Sequence, residues 1–186
     1  MPSQIVKNVN NKQESGLVIV YTGNGKGKTT AALGLTLRAS GYNKKILIVQ
    51  FIKSWFTGEK KSIEKLPNVD FYQMGKGFVK ILGDKKPIED HKRSAQNALK
   101  FAQEKIRSSK YDVLILDEIN VAIREKLIPI SKVINLIKNK PKELDLVLTG
   151  RNAHKKIIEL ADLVTEMKEI KHPFQKGIKA KVGIDF

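Results

Sequence analysis

The run Thr22-Gly23-Asn24-Gly25-Lys26-Gly27-Lys28-Thr29-Thr30 holds the residue types that cradle a phosphate. In a glycine loop of this kind, successive backbone N–H groups turn inward on an anion, and a following helix adds its positive N-terminal end. A lysine at the place of Lys28 reaches the oxygens of a terminal phosphate. A hydroxyl at the place of Thr29 ligates the Mg²⁺ that accompanies a nucleotide. The general pattern G-x-x-x-x-G-K-[ST] asks for glycine where this chain has Thr22, whereas its Gly27-Lys28-Thr29 end is intact. A glycine-rich turn without a ligand is the plain alternative, and the apolar run before the loop and the helical pattern after it weigh against that alternative.

Asp117-Glu118 supplies the acids such a site needs. The pair ends the apolar run Val113-Leu114-Ile115-Leu116, and in phosphate-loop proteins a strand beside the loop strand ends in an acid that orients Mg²⁺. Spacing leaves open which of the two touches the metal. Arg151, in Thr149-Gly150-Arg151-Asn152 between a strand and a helix, is placed to meet a phosphate or to sit on a turn. For a second substrate the aromatic loops are the candidates. Phe51 to Glu59 carries three aromatics, among them the only tryptophan, Trp55, and Gly75-Lys76-Gly77-Phe78 follows a later strand. Such rings suit a flat apolar ligand or pack their own loop. His91, His154 and His172 lack ligand spacing, and no Ser-His-Asp arrangement is suggested.

Alternating strand-like and helix-like segments must position these residues. Leu17 to Tyr21, Lys45 to Phe51, Val69 to Gln73, Val113 to Leu116, Leu144 to Leu148 and Asp162 to Glu166 read as strands, the continuous apolar runs suiting a buried parallel sheet. Helices are expected from Ala31 to Gly41, after Pro87 along Ala95, Ala98, Leu99, Ala102 and Ile106, after a cap at Ser131 as far as Pro141, and over Ala153 to Leu160. The alternation predicts an α/β fold with a mostly parallel sheet and the ligand at the strands' C-terminal ends. Residues 1–15, rich in Asn and Lys, read as a flexible arm, leaving residues 16–186 as a single domain.

Composition narrows the partners. The net charge is +16, yet only five of 35 basic residues are arginine, and the lysines are spread along the chain among acids. That pattern fits solvated helix faces better than a nucleic-acid surface. There is no cysteine, no apolar run of membrane-spanning length, and no apolar h-region behind Met1-Pro2-Ser3-Gln4. A cytoplasmic protein with no membrane and no nucleic-acid partner is the expectation.

The chain resembles the corrinoid adenosyltransferases of the CobA type, which move the 5′-deoxyadenosyl group of ATP onto cobalt. The resemblance rests on residues 22–32, on Val49-Gln50-Phe51-Ile52-Lys53 with Gly58-Glu59, and on Leu116-Asp117-Glu118. It continues through Thr149-Gly150-Arg151, Leu160 to Glu166, Lys171-His172-Pro173-Phe174, and Gly177 to Phe186. Thr22 in place of glycine is what this family shows. The resemblance implies a RecA-like sheet, a homodimer, Mg²⁺ (or Mn²⁺) on Thr29 and Glu118 with Asp117 as second choice, and Asn24 near the ribose. Lys28, Thr29 and Glu118 form the candidate catalytic set. The candidate ATP contacts are Thr22, Gly23, Asn24, Gly25, Lys26, Gly27, Lys28, Thr29, Thr30, Arg38 and Arg151. The candidate corrinoid contacts are Phe78, Trp55 and Met74, and where the family reads Gly-Phe-Thr-Trp this chain reads Gly77-Phe78-Val79-Lys80. An electron donor such as a flavoprotein is a further expected partner, and the setting is adenosylcobalamin biosynthesis or salvage. The alternatives are a phosphate-loop kinase or small ATPase acting on the γ-phosphate, or a basic nucleic-acid-binding ATPase.

Overall fold

Each of the six expected apolar runs forms a strand, and all the pairings are parallel. The computed structural model describes residues 15–55, 57–77, 79 and 83–185. In chain order these are β1 (Val18–Thr22), α1 (Lys28–Ser40), β2 (Ile46–Gln50), α2 (Gly58–Ile63), β3 (Val69–Gln73) and α3 (Ile88–Ser108). Then come β4 (Val113–Asp117), α4 (Ile119–Arg124), α5 (Ile130–Asn139), β5 (Asp145–Thr149), α6 (Lys155–Ile158) and β6 (Leu163–Glu166), with a 3₁₀ turn at Pro173–Lys176. The sheet order is β3-β2-β4-β5-β1-β6. Most of the expected arm, residues 1–14, lies outside the described residues, as does Phe78.

Alternation along the strands divides the core in two. Val18 and Val20, Leu47 and Val49, Leu114 and Leu116, and Leu146 and Leu148 face one layer, with Ala95, Ala98, Leu99 and Ala102 of α3 and Val133, Leu136 and Ile137 of α5. Ile19, Ile46 with Ile48, Val113 with Ile115, and Val147 face the other, against Ala32 of α1 and Ile63 of α2. Strands covered on both faces have no polar side, so their sequences read as unbroken apolar runs. α3 buries a stripe at three- and four-residue spacing, as the sequence predicts.

Three expectations need correction. β5 stands between β1 and β4, hydrogen-bonded to both, so the acidic strand is not beside the loop strand. α5 starts at Ile130 behind Pro129, and Ser131 lies within it, because the fixed φ of proline already sets the entry. The helix expected over Ala153 to Leu160 is one turn, Lys155–Ile158. Two short helices, α2 and α4, carry no strong local signal, having only six residues each.

Candidate functional site

β1 delivers the chain into the glycine loop at the C-terminal edge of the sheet, and Gly27 turns it into α1. Gly27 has φ 107°, which lets the backbone enter α1 without a Cβ penalty. The loop is tied from behind: the Gly25 amide donates to the Met167 carbonyl at 2.7 Å and the Met167 amide to the Thr22 carbonyl at 2.9 Å. A Cβ on Gly23 would lie 2.4 Å from the Met167 carbonyl oxygen, so only glycine fits there. Thr22 is buried and its hydroxyl accepts the Ala153 amide at 3.0 Å. This explains the hydroxyl where the general pattern has glycine, since it fastens the loop to the segment after β5.

Lys28 is buried, and its Nζ donates to the carbonyls of Gly23 at 2.8 Å and Gly25 at 2.6 Å. Burial lowers its pKa, opposed by the charges of Glu118 and Asp117. The Thr29 hydroxyl donates to Asp117 Oδ1 at 2.9 Å, the Thr149 hydroxyl to the same oxygen at 2.6 Å, and Gln50 Nε2 to Oδ2 at 2.8 Å. Asp117 is thus buried and held by three donors. Its neighbour behaves differently. Glu118 turns out of β4 at φ 65°, unusual for a residue with a side chain, and its amide donates to the Thr149 hydroxyl at 2.9 Å. Burial, with the Asp117 charge beside it, pushes its carboxyl up to about 6, while Lys53, Lys28 and Arg151 pull in the opposite direction.

Lys28, Thr29 and Glu118 line one cavity of about 600 Å³, whereas Thr22, Gly23 and Asp117 lie behind its surface. Residues 25–30 form its floor, Glu118 and Arg151 one wall, Lys53, Gly58, Glu59 and Ser62 another, and Gly183, Ile184 and Asp185 its rim. Lys26, Lys28, Lys53 and Arg151 make it cationic, with Lys53 at 3.6 Å from Glu59 and Lys26 paired to Asp185. The arrangement suits a polyphosphate, with four cations and the N-terminus of α1 at one cavity. The Thr29 hydroxyl and Glu118 carboxylate are hard oxygen donors of the kind that hold Mg²⁺ or Mn²⁺.

Not every candidate from the sequence comes to this cavity. Arg38 is exposed in the last turn of α1, about 15 Å along the axis from Lys28 at the usual rise per residue. Asn24 is exposed and does not line the cavity. Phe51 is buried in the core. Met74 packs against that core and lines a separate groove of about 470 Å³ with Lys76, Arg93 and Asn97. Trp55 is half-buried, its carbonyl accepting Gln73 Nε2 at 3.0 Å. Sequence reasoning did not name Lys53, Glu59 and Asp185 as cavity residues, although all three stand in segments that carry the family resemblance.

Fold and site together define a phosphate-loop nucleotide-binding protein. The chain belongs to the family described as ATP:corrinoid adenosyltransferase BtuR/CobO/CobP, whose model matches residues 14–186. It is therefore a transferase that uses ATP and a corrinoid. Similar proteins include a corrinoid adenosyltransferase of Escherichia coli K12, 38% identical over 94% of this chain and 88% of that protein. One from a Sinorhizobium species is 44% identical over 93% and 81%. Corrinoid adenosyltransferase CobA of Salmonella typhimurium is 36% identical over 94% and 88%. Among solved structures, the cytoplasmic domain of EssC aligns with a TM-score of 0.52 at 15% identity, over 90% of this chain and 34% of that one, a likeness of fold.

Proposed function

We propose that the cavity over residues 25–30 holds the triphosphate of ATP and that the aromatic strand-end loops beside it receive the corrinoid, so that cobalt attacks the ribose C5′ and triphosphate departs intact. The convergence of Lys28, Lys53 and Arg151 on one cavity carries this reading. Co(I) is a strong nucleophile, so the step needs no general base. What needs stabilising is the charge of the leaving triphosphate, and the cations of the cavity with the N-terminus of α1 would supply that. Mg²⁺ on Thr29 and Glu118 would add charge neutralisation at the phosphate oxygens. Asp117, buried and already accepting from three donors, would orient the Thr29 hydroxyl and leave the metal to Glu118.

The corrinoid is assigned to the strand-end loops bearing Trp55 and Met74, with Phe78 included on the family pattern alone; loss of the axial ligand from Co(II) there would ease its reduction. A flavoprotein reductant and a cytoplasmic setting fit a reaction that consumes ATP and needs a low-potential electron. A homodimer is supported by the uncovered edge of the sheet. Leu163 and Val164 of β6 are 43% and 41% exposed, and Ile170, Phe174, Val182 and Ile184 beyond them are more so. Such an edge is normally covered. Sedimentation at micromolar concentration tests it.

Incubation with ATP, Mg²⁺ and chemically reduced cobalamin is expected to yield a light-sensitive Co–C product and inorganic triphosphate in equal amounts. Release of ADP without that product would overturn the reading in favour of a phosphoryl-transfer enzyme.

A further inference from the structure

A continuous line of hydrogen bonds leaves the phosphate loop and ends on the backbone of the tryptophan loop. Asp117 receives Thr29 on one side and Gln50 Nε2 on the other, at 2.9 and 2.8 Å. Gln50 Oε1 receives Gln73 Nε2 at 2.9 Å, and the same Nε2 donates to the Trp55 carbonyl at 3.0 Å. The direction of this line is fixed by charge. A carboxylate only accepts, so Gln50 must turn its NH₂ toward Asp117 and its oxygen toward Gln73, which must then present its own NH₂. Gln50 is 1% exposed, so water does not compete with it for these partners. The two strand-end loops are also stitched together by backbone, the Met74 amide donating to Gln50 and the Gly77 amide to Ile52, both at 2.9 Å.

From this geometry we infer that Gln50 and Gln73 are positioning residues that transmit the state of the Thr29 hydroxyl to the loop bearing Trp55. The inference rests on reading the cavity as the ATP site. When MgATP engages Thr29, the hydroxyl redistributes its bonding between Asp117 and the incoming ligand. Asp117 then shifts against its other donors, and the amide pair passes that shift to the Trp55 carbonyl. Loading of the nucleotide thereby prepares the second-substrate side.

Trp55 is the only tryptophan, so its emission reports this loop without interference. The full-length chain is titrated with MgATP, following Trp55 emission and, separately, heat of binding. In the wild type the emission changes with saturation. In Gln73→Met, which keeps length and deletes the donor, MgATP affinity stays within about twofold, while the emission change falls to about a third or less. In turnover, the KM for corrinoid rises about five- to tenfold and that for ATP stays within about twofold, the range of a broken coupling. Gln73→Glu, which sets an acceptor against two acceptors, gives the same result and serves where the Met variant folds poorly. A full emission change in either folded variant, no change in the wild type despite measured heat, or equal rises in both KM values would overturn the relay. Absence of MgATP heat in the wild type would overturn the ATP-site reading itself, and the relay with it.

Discussion

The Thr29 hydroxyl and the Asp117 carboxylate meet at 2.9 Å across 88 residues of sequence. Because Asp117 also accepts Thr149 and Gln50, an amide in its place must set an N–H against at least one buried donor. Asp117→Asn should therefore destabilise the fold by about 1–3 kcal/mol, read as a melting temperature several degrees lower. Glu118→Gln should leave melting unchanged or raised and instead increase the Mg²⁺ needed for half-maximal activity. The two variants test whether an orienting role and a metal-binding role fall to different acids.

Acidification should weaken metal-dependent turnover through Glu118. Its carboxyl is raised from 4.5 to about 6 by burial and by Asp117, so the ligating anion is lost below about pH 6. The sign for stability is the opposite. A raised carboxyl favours the protonated form when folded, so the metal-free protein carries a cost above pH 6 that disappears below the unfolded value of 4.5. At pH 8, Glu118→Gln should relieve up to about 2 kcal/mol of that cost. Denaturant unfolding of metal-free protein at pH 4.5 and pH 8 measures it, and the gain should be confined to the higher pH.

Lys28→Ala should lower kcat by about 10²–10³, the scale of losing one preorganised donor to the developing charge. It should also loosen the loop, because Nζ holds the Gly23 and Gly25 carbonyls. Single-turnover kinetics with saturating ATP isolate the first effect, and near-normal rates would contradict a phosphate role.

The rim contact between Lys26 and Asp185 offers a carboxylate to the same cation that a triphosphate would meet. Asp185→Asn should tighten ATP binding by up to about fivefold at low salt, the scale of an exposed pair, with the gain fading at high ionic strength. Calorimetric titrations at two salt concentrations test the direction.

Much of this was legible because the physics is local. Ile46 to Val49 and Val113 to Leu116 are buried on both faces of the sheet, so each is apolar throughout and stands out from its surroundings. Gly23 to Thr29 is legible because a phosphate cradle needs those residue types in succession. The position of β5 between β1 and β4 was not legible, since strand order follows from crossover geometry that no short window contains. Lys53, Glu59 and Asp185 reach the cavity from sequence positions far from the loop, and each alone looks like a solvated charge. Asp117 and Glu118 could not be told apart by spacing, because their difference arises at the φ of 65° that turns Glu118 out of the strand.

β1 is made first and completed last. The Leu17 amide finds its partner on Asp145, 128 residues later, and the Val18 amide on Asp162, 144 residues later. At synthesis rates of about 5–20 residues per second, that is a wait of about 7–30 s with an apolar strand unpaired. The Met167 carbonyl that fastens Gly25 is made later still. A ribosome paused before residue 167 therefore holds a chain with every phosphate-loop residue translated and its loop not yet fastened. The phosphate loop is thus fastened from behind only when the last strand has been made.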